Sequence, residues 1–323
     1  MEKVLVIGPF NEAMKRALET SFDDHFSLEY ITSREEYGRI ADADYIILRT
    51  LDLNADDIAA MKKVKLIQRW GAGYDTVDIR AAAEKKIPVA ITYGINATPV
   101  AEMTLALTLA VYRHLVPMTK GIQDGRWERE TYAKTSYTIQ GKTVGIVGIG
   151  NIGRKAAALF QAFGAKVLYY DLFRLNAGRE KELDLTYSEL DGLWGKCDII
   201  SLHAPATPET AHIINAASLN KMKDGAVLIN TAREELVDME ALAAALRAGK
   251  LLGAGLDAVE EEAMKALPFR GLGNVVLSAH LGGNTADNAV RMARRCAEQV
   301  AVVSAGGRLP PPHAVNLDLM ERS

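Results

Sequence analysis

Along this chain, short unbroken apolar runs alternate with stretches of helical pattern. In the first ninety-odd residues the runs are Val4–Ile7, Leu28–Ile31, Tyr45–Leu48, Leu66–Gln68 and Val89–Thr92. Runs this short, with no polar alternation, read as strands buried on both faces, as in a parallel sheet. Between them Asn11–Thr20, Ser33–Ile40, Asn54–Met61 and Thr76–Lys85 read as helices. The same alternation resumes later with Thr143–Val147, Lys166–Tyr170, Asp198–His203, Ala226–Arg233, Leu252–Asp257 and Val275–Ser278. Strands separated by helices make βαβ units, so the pattern predicts an α/β chain of two doubly wound parallel sheets.

Only one strand carries a glycine fingerprint. Thr143–Val147 runs into Gly148-x-Gly150-x-x-Gly153, and Arg154–Phe160 continues as a helix. The first glycine suits a tight turn, the second lets the backbone approach a pyrophosphate, and the third lets helix and strand pack closely. The phosphates would sit on unpaired N–H groups at the positive end of the helix. The next strand ends in Asp171, placed to accept both ribose hydroxyls of an adenosine. A bare glycine turn is the alternative, but strand, helix and acid occur in the order a dinucleotide site requires.

The other strands of this half also end in polar residues: His203, Arg233 and Asp257, with His280 just beyond the last. Open α/β sheets bind ligands at the carboxyl ends of their strands. Arg233 can fork onto a carboxylate, and His280 can give a proton to a carbonyl oxygen being reduced. Glu260, Glu261 and Glu262 are candidates for an acid beside His280, and spacing does not choose among them. In the first half, Arg69-Trp-Gly-Ala-Gly-Tyr-Asp75 follows a strand, and its amides either hold a small anion or merely open the next helix.

Gly94 to Glu102 is the expected domain crossing, with Thr98 as N-cap and Pro99 at the first helical position. Val100–Val111 is apolar nearly all round, as in a helix buried between domains or subunits. Trp127, Tyr132 and Tyr137 lie in a stretch without period, from Gly125 to Gln140, suited to a dimer contact, a cleft wall or core packing. At 323 residues the length favours two domains. A net charge of -3 with no basic stripe argues against nucleic acid. The two cysteines are too few for a disulfide framework or zinc site. No stretch reaches membrane-span length and the N-terminus reads as a strand, so a cytoplasmic, reduced protein is expected.

Taken together, these blocks resemble the D-isomer-specific 2-hydroxyacid dehydrogenases, the group of phosphoglycerate, glyoxylate/hydroxypyruvate and D-lactate reductases. The blocks are Gly71–Asp75, Asn96 to Glu102, Gly141–Gly153, Leu202–Pro205 with Thr210, Asn230–Arg233, Leu236–Asp238, Asp257 and Ala279–Thr285. The resemblance implies a Rossmann nucleotide domain (98–284), a flavodoxin-like substrate domain (1–97 and 285–323), a cleft between them, and NAD as cofactor. It implies that a helix from Asn284 to about Ser304 crosses back, with Val315-Asn316 on the first domain. Arg233 would bind the substrate carboxylate, His280 would be the acid/base and Glu262 its partner. Ala72, Gly73 and Asn96 would complete the substrate site. NAD contacts would fall on Thr104, Gly148, Gly150, Asn151, Ile152, Gly153, Asp171, His203, Pro205, Thr210, Thr231, Ala232, Asp257 and Gly282. The family's habit also implies a homodimer, and the short tail implies a form without a regulatory domain.

There are departures. The family usually has Gly after Arg233 where this chain has Glu234, which would be strained if the position needs φ > 0. Val259 and Ala263 replace the aromatic and the proline of the usual acidic segment. The expected activity is hydride transfer between NAD(H) and the C2 of a small 2-keto or 2-hydroxy acid. A formate dehydrogenase-like enzyme is a rival, although those relatives pair the histidine with Gln. An NAD(H)-sensing, corepressor-like binding protein is another.

Overall fold

The computed structural model describes residues 1–259, 266 and 268–322. The chain divides into two compact units, Met1–Asn96 with Gly283–Ser323, and Ala97–Gly282. The breaks fall after Asn96 and Gly282, against 97 and 284 in the sequence reading.

The first unit holds a five-stranded parallel sheet: β1 (Glu2–Ile7), β2 (Phe26–Ile31), β3 (Tyr45–Leu48), β4 (Leu66–Arg69) and β5 (Val89–Ala90). Its order is β2-β1-β3-β4-β5, the doubly wound arrangement with its switch between β1 and β3. The apolar runs serve both faces. Val4, Val6, Tyr45, Ile47 and Leu66 pack one way, onto helices Glu12–Glu19 and Ala286–Ser304. Leu5, Ile7, Ile46, Leu48, Ile67 and Val89 pack the other way with Ile58 and Ala82. The tail then docks on β5. Val315 donates its N–H to Val89 O, and the fully buried Asn316 donates to Ile87 O while accepting from Val89 N.

Ser33–Ile40, read as helical, forms a 3₁₀ segment, Arg34–Asp42. Its inward residues Tyr37 and Ile40 are followed by buried Ala43. That spacing of three suits the three-residue turn of the tighter helix. β5 stops at Ala90 because Ile91 and Thr92 donate to His313 O and Gly71 O instead of to a neighbouring strand.

The second unit holds β6 (Thr143–Val147), β7 (Lys166–Tyr170), β8 (Thr186–Tyr187), β9 (Ile199–Leu202), β10 (Ala226–Asn230), β11 (Leu251–Leu256) and β12 (Val275–Leu277). All pair in parallel, in the order β12-β11-β10-β9-β6-β7-β8, so the direction of winding reverses between β6 and β9. Val227 and Ile229 face one layer, with Phe160 and Leu107, and Leu228 faces the other with Leu193 and Leu242.

The apolar helix runs from Ala97 to Tyr112, so Thr98 and Pro99 lie inside its first turn and Thr98 is not the N-cap. It packs on β11 and on helix Asn151–Ala162. Two glycines of β11 admit it: a Cβ on Gly253 would lie 2.7 Å from Val111 Cγ1, and one on Gly255 would lie 2.8 Å from Leu107 Cβ. The aperiodic stretch from Gly125 to Gln140 contains a short helix, Arg129–Ala133. Trp127 is 79% exposed, and Tyr137 stacks at a tilt on Tyr112. Among the described residues, no helix is long and apolar enough to cross a membrane.

Candidate active site

The three fingerprint glycines differ in what surrounds them. Gly148 has φ +95°, and a Cβ there would lie 2.7 Å from His203 C and Ala204 N, at the β6/β9 switch. A Cβ on Gly153 would overlap the Gly148 carbonyl oxygen. Gly150 has no protein atom within 4 Å of its Cβ position, so packing does not require a glycine there. No side chain caps the helix that Gly150 opens. An open glycine beside an uncapped helix N-terminus is a cradle for an anionic group from outside the chain, and it fits a pyrophosphate.

Asp171 sits at the end of β7 facing this loop. Its Oδ2 accepts from Ile149 N at 2.7 Å, and its Oδ1 accepts from Phe173 N at 2.9 Å. Each oxygen keeps a lone pair for a further donor. Arg174, the residue that could have greeted a 2′-phosphate, is already engaged. It donates to both oxygens of Glu180, at 2.9 and 3.2 Å, and its guanidinium lies 4.7 Å from the Tyr187 ring centre.

His203 follows β9. Its Nε2 and Ser201 Oγ are 2.9 Å apart, while Nδ1 is shut from solvent with no partner among the described residues. Burial pushes its pKa down to about 3, so the ring is neutral. Thr210 donates to Pro205 O at 2.7 Å and accepts from Thr207 N at 2.8 Å, which fixes the turn carrying Pro205. Thr104 lies behind this edge instead of on it. It is fully buried, donates to Val100 O, and has its hydroxyl 3.0 Å from that of Thr231. It therefore braces Thr231. Asn151 and Ile152 are half-buried in the first turn of the fingerprint helix.

The remaining residues form one hydrogen-bonded constellation around Asn230 and Asp257, both buried polar ends of β10 and β11. Asn230 accepts from Ala232 N at 3.0 Å and donates to Arg233 O at 2.7 Å, which shapes the turn that presents Arg233. Its carbonyl accepts from Asp257 N. Asp257 in turn gathers the segment after β12. Its Oδ1 accepts from Ser278 Oγ at 2.6 Å and from Leu281 N at 2.9 Å, and Oδ2 accepts from Gly282 N at 2.8 Å. The Asp257 carbonyl accepts from His280 N at 2.9 Å.

His280 thereby sits at φ +51°, in the left-handed region that costs an L-residue roughly 1–2 kcal/mol. Gly282 is needed as glycine, since a Cβ would lie 2.6 Å from Asp257 Oδ2. Arg233 is extended (φ -141°, ψ 145°) and half-buried, with Nη1 donating to Ala232 O at 2.8 Å. Glu234 has no positive φ, so the expected strain at the glycine-to-glutamate departure does not arise; it opens a 3₁₀ turn, Glu234–Leu236.

Glu262, with Glu260 and Glu261, lies outside the described residues. Ala72, Gly73 and Asn96 belong to the first unit. There Gly71 has φ +148°, and Arg69 braces the loop by donating from Nε to Gly73 O at 2.9 Å. Trp70 is a core residue, edge-on to Phe10 at 5.1 Å, whereas Tyr74 is exposed.

Sequence reading did not single out Asn230, Ser201 or Ser278 as site-shaping residues. For Asn230 and Ser201 a signal existed, a polar residue inside a fully apolar run. For Ser278 none did, because a serine after a strand is ordinary loop chemistry.

Residues 105–282 match the family described as D-isomer specific 2-hydroxyacid dehydrogenase, NAD binding domain. A hydroxypyruvate reductase of Thermotoga maritima is 36% identical over 302 residues, covering 92% of this chain and 97% of that one. A glyoxylate reductase of Thermofilum pendens is 38% identical over 302 residues, covering 92% and 88%. The structure of a Granulicella formate dehydrogenase superposes with a TM-score of 0.88 at 26% identity, covering 97% of each chain. With the fingerprint, the cradle and the Arg233–Asp257–His280 constellation in place, the chain belongs to the D-isomer specific 2-hydroxyacid dehydrogenases, NAD-dependent oxidoreductases acting on small 2-keto and 2-hydroxy acids.

Proposed function

We propose that this chain reduces a small 2-keto acid to its D-2-hydroxy acid with NADH, with Arg233 and His280 as the reacting pair. The observation that carries this reading is that one network, through Asn230 and Asp257, orients both residues. We assign the second unit to NAD binding and the first to substrate binding, through the amides of Ala72 and Gly73 and through Asn96.

NAD supplies the two-electron carrier, so that a hydride passes between its nicotinamide and C2 of the acid. Gly148, Gly150, Asn151, Ile152 and Gly153 would hold its pyrophosphate, Asp171 its adenosine ribose, and His203, Pro205, Thr231, Ala232, Asp257 and Gly282 its remaining polar edge. Thr104 and Thr210 would add to the cofactor contacts at that edge. Arg233 forks onto the substrate carboxylate and fixes C2 in place. His280 donates a proton to the C2 oxygen as negative charge develops there, and takes it back in the reverse direction. Glu262 is assigned as the carboxylate partner of His280.

The exposed side chains Leu115, Val116 and Ile122 of the helix Leu115–Gln123, with Trp127 just after it, support a homodimer built on this segment. Two buried, unpaired cysteines, Cys197 and Cys296, suit a reducing compartment and hence the cytoplasm.

A panel of glyoxylate, hydroxypyruvate, pyruvate and larger 2-keto acids with NADH tests the reading, beside formate with NAD. Turnover of a keto acid is expected. Formate oxidation alone would move the chain to the formate dehydrogenase reading, and tight NADH binding with no turnover would make it a sensor.

A further inference from the structure

Arg69 ends β4 and is only 7% exposed, although charged side chains are seldom buried so fully. Its guanidinium works in two directions. Nε donates to Gly73 O at 2.9 Å and Nη1 to Leu48 O at 3.3 Å, so one side chain ties the loop after β4 to the end of β3. Gly71 O, at the start of the same loop, accepts from Thr92 N at 3.0 Å.

These bonds fix which way the loop's amides face. A trans peptide is planar, with its C=O and N–H pointing in opposite directions. The Gly71 carbonyl is held by Thr92, so the Ala72 N–H points away from that residue. The Gly73 carbonyl is held by Arg69, so the Tyr74 N–H points away from the guanidinium. The amides of Ala72, Gly73 and Tyr74 have no acceptor among the described residues. Successive N–H groups without an acceptor make a donor set for an anion.

We propose that Arg69 is the positioning residue of this loop, and that the Tyr74 amide, which it turns outward, is a further donor to the substrate carboxylate. The proposal rests on the assignment of Ala72 and Gly73 to substrate binding. A guanidinium suits the task because two carbonyls on different segments are held at once by one planar fork. Without it the Gly73–Tyr74 peptide is free to turn and the donor set disperses. Binding of the carboxylate then weakens more than the chemical step slows.

The test uses the whole chain with hydroxypyruvate and NADH, and titrates oxamate, a non-reducible 2-keto acid analogue, onto the enzyme–NADH complex. Arg69→Ala should raise KM and the oxamate dissociation constant by about tenfold each, with a smaller change in kcat and an unchanged NADH dissociation constant. Arg69→Lys should recover part of the loss, since an ammonium lacks the fork. Tyr74→Pro deletes the outward N–H and leaves Arg69 in place. It should weaken oxamate by a similar factor, and it serves if the arginine variants fold poorly. A folded Arg69→Ala variant with lowered kcat but unchanged KM and oxamate affinity would show a merely structural role and overturn the proposal. Full oxamate affinity in Tyr74→Pro would overturn it too. Failure of the broader reading looks different, since the unaltered enzyme would then neither turn over a keto acid nor bind oxamate.

Discussion

Asp257 holds His280 from two sides: its carbonyl accepts from the His280 amide, while its carboxylate accepts from the amides of Leu281 and Gly282. The histidine's left-handed backbone is therefore imposed by its neighbour. Asp257→Asn should break this arrangement without emptying the core. An amide nitrogen would then face Ser278 Oγ and Leu281 N, or Gly282 N, and donors would oppose donors. We expect kcat to fall by at least about a hundredfold, roughly 2.7 kcal/mol, with the pH profile displaced. Circular dichroism and a pH–rate series would check it; an unmoved profile with normal kcat removes the positioning role.

Arg233→Ala should raise KM for the keto acid sharply and also lower kcat, because one group both anchors the substrate and stabilises charge on the carbonyl oxygen. Arg233→Lys should recover only part of the loss, since an ammonium cannot fork onto a carboxylate. Steady-state kinetics with varied keto acid decide this, and near-normal kcat/KM in the alanine variant would exclude the assignment.

The fingerprint glycines allow stability and binding to be separated. Gly150→Ala meets no protein atom, so its melting temperature should stay close to that of wild type while KM for NADH rises. Gly153→Ala drives a methyl group into the Gly148 carbonyl and should destabilise the fold, by more than about 2 kcal/mol. Paired thermal melts and NADH titrations test the contrast. Equal NADH affinity in Gly150→Ala would argue that the open space there is not the cofactor cradle.

Cofactor preference follows from Asp171 and from the engagement of Arg174. A 2′-phosphate would bring its charge against the Asp171 carboxylate, and Arg174 is held on Glu180 and Tyr187. NADH should be preferred over NADPH by at least roughly a hundredfold in kcat/KM, about 2.7 kcal/mol. Asp171→Ala should weaken NADH and narrow that gap, and adding Glu180→Gln should narrow it further by releasing Arg174. Equal use of both cofactors by the unaltered enzyme would contradict the role given to Asp171.

His203 makes a prediction about acid stability. Its folded pKa of about 3 lies below the value near 6.5 of an exposed histidine. Between those values the unfolded chain binds the extra proton, so stability is lost as pH falls below about 6.5. From pH 6 to pH 5 the contribution is roughly 1 kcal/mol. His203→Asn should lose less stability than wild type over that interval in urea melts, and a parallel loss would mean that His203 is not buried as the neutral ring.

Much of this protein was legible one residue at a time. Unbroken apolar runs such as Val4–Ile7 and Ala226–Ile229 announced strands covered on both faces, because burial on both sides leaves no position for a polar side chain. Gly148, Gly150 and Gly153, followed by Asp171, declared a nucleotide site, since backbone approach and hydroxyl recognition each demand particular residue types at close spacing. Arg233 and His280 stood at strand ends, where chemistry is local to the chain.

What needed the tertiary structure were relations between distant residues. The 3₁₀ period of Tyr37 and Ile40 depends on which face the sheet presents, and the Thr104 hydroxyl meets that of Thr231 at 3.0 Å across 127 residues of chain. Asp257 holds the His280 segment, and Arg174 is withdrawn from the ribose by Glu180. Hydrogen bonds act over about 3 Å in space, whatever the separation along the chain, so their partners are chosen by the packed fold.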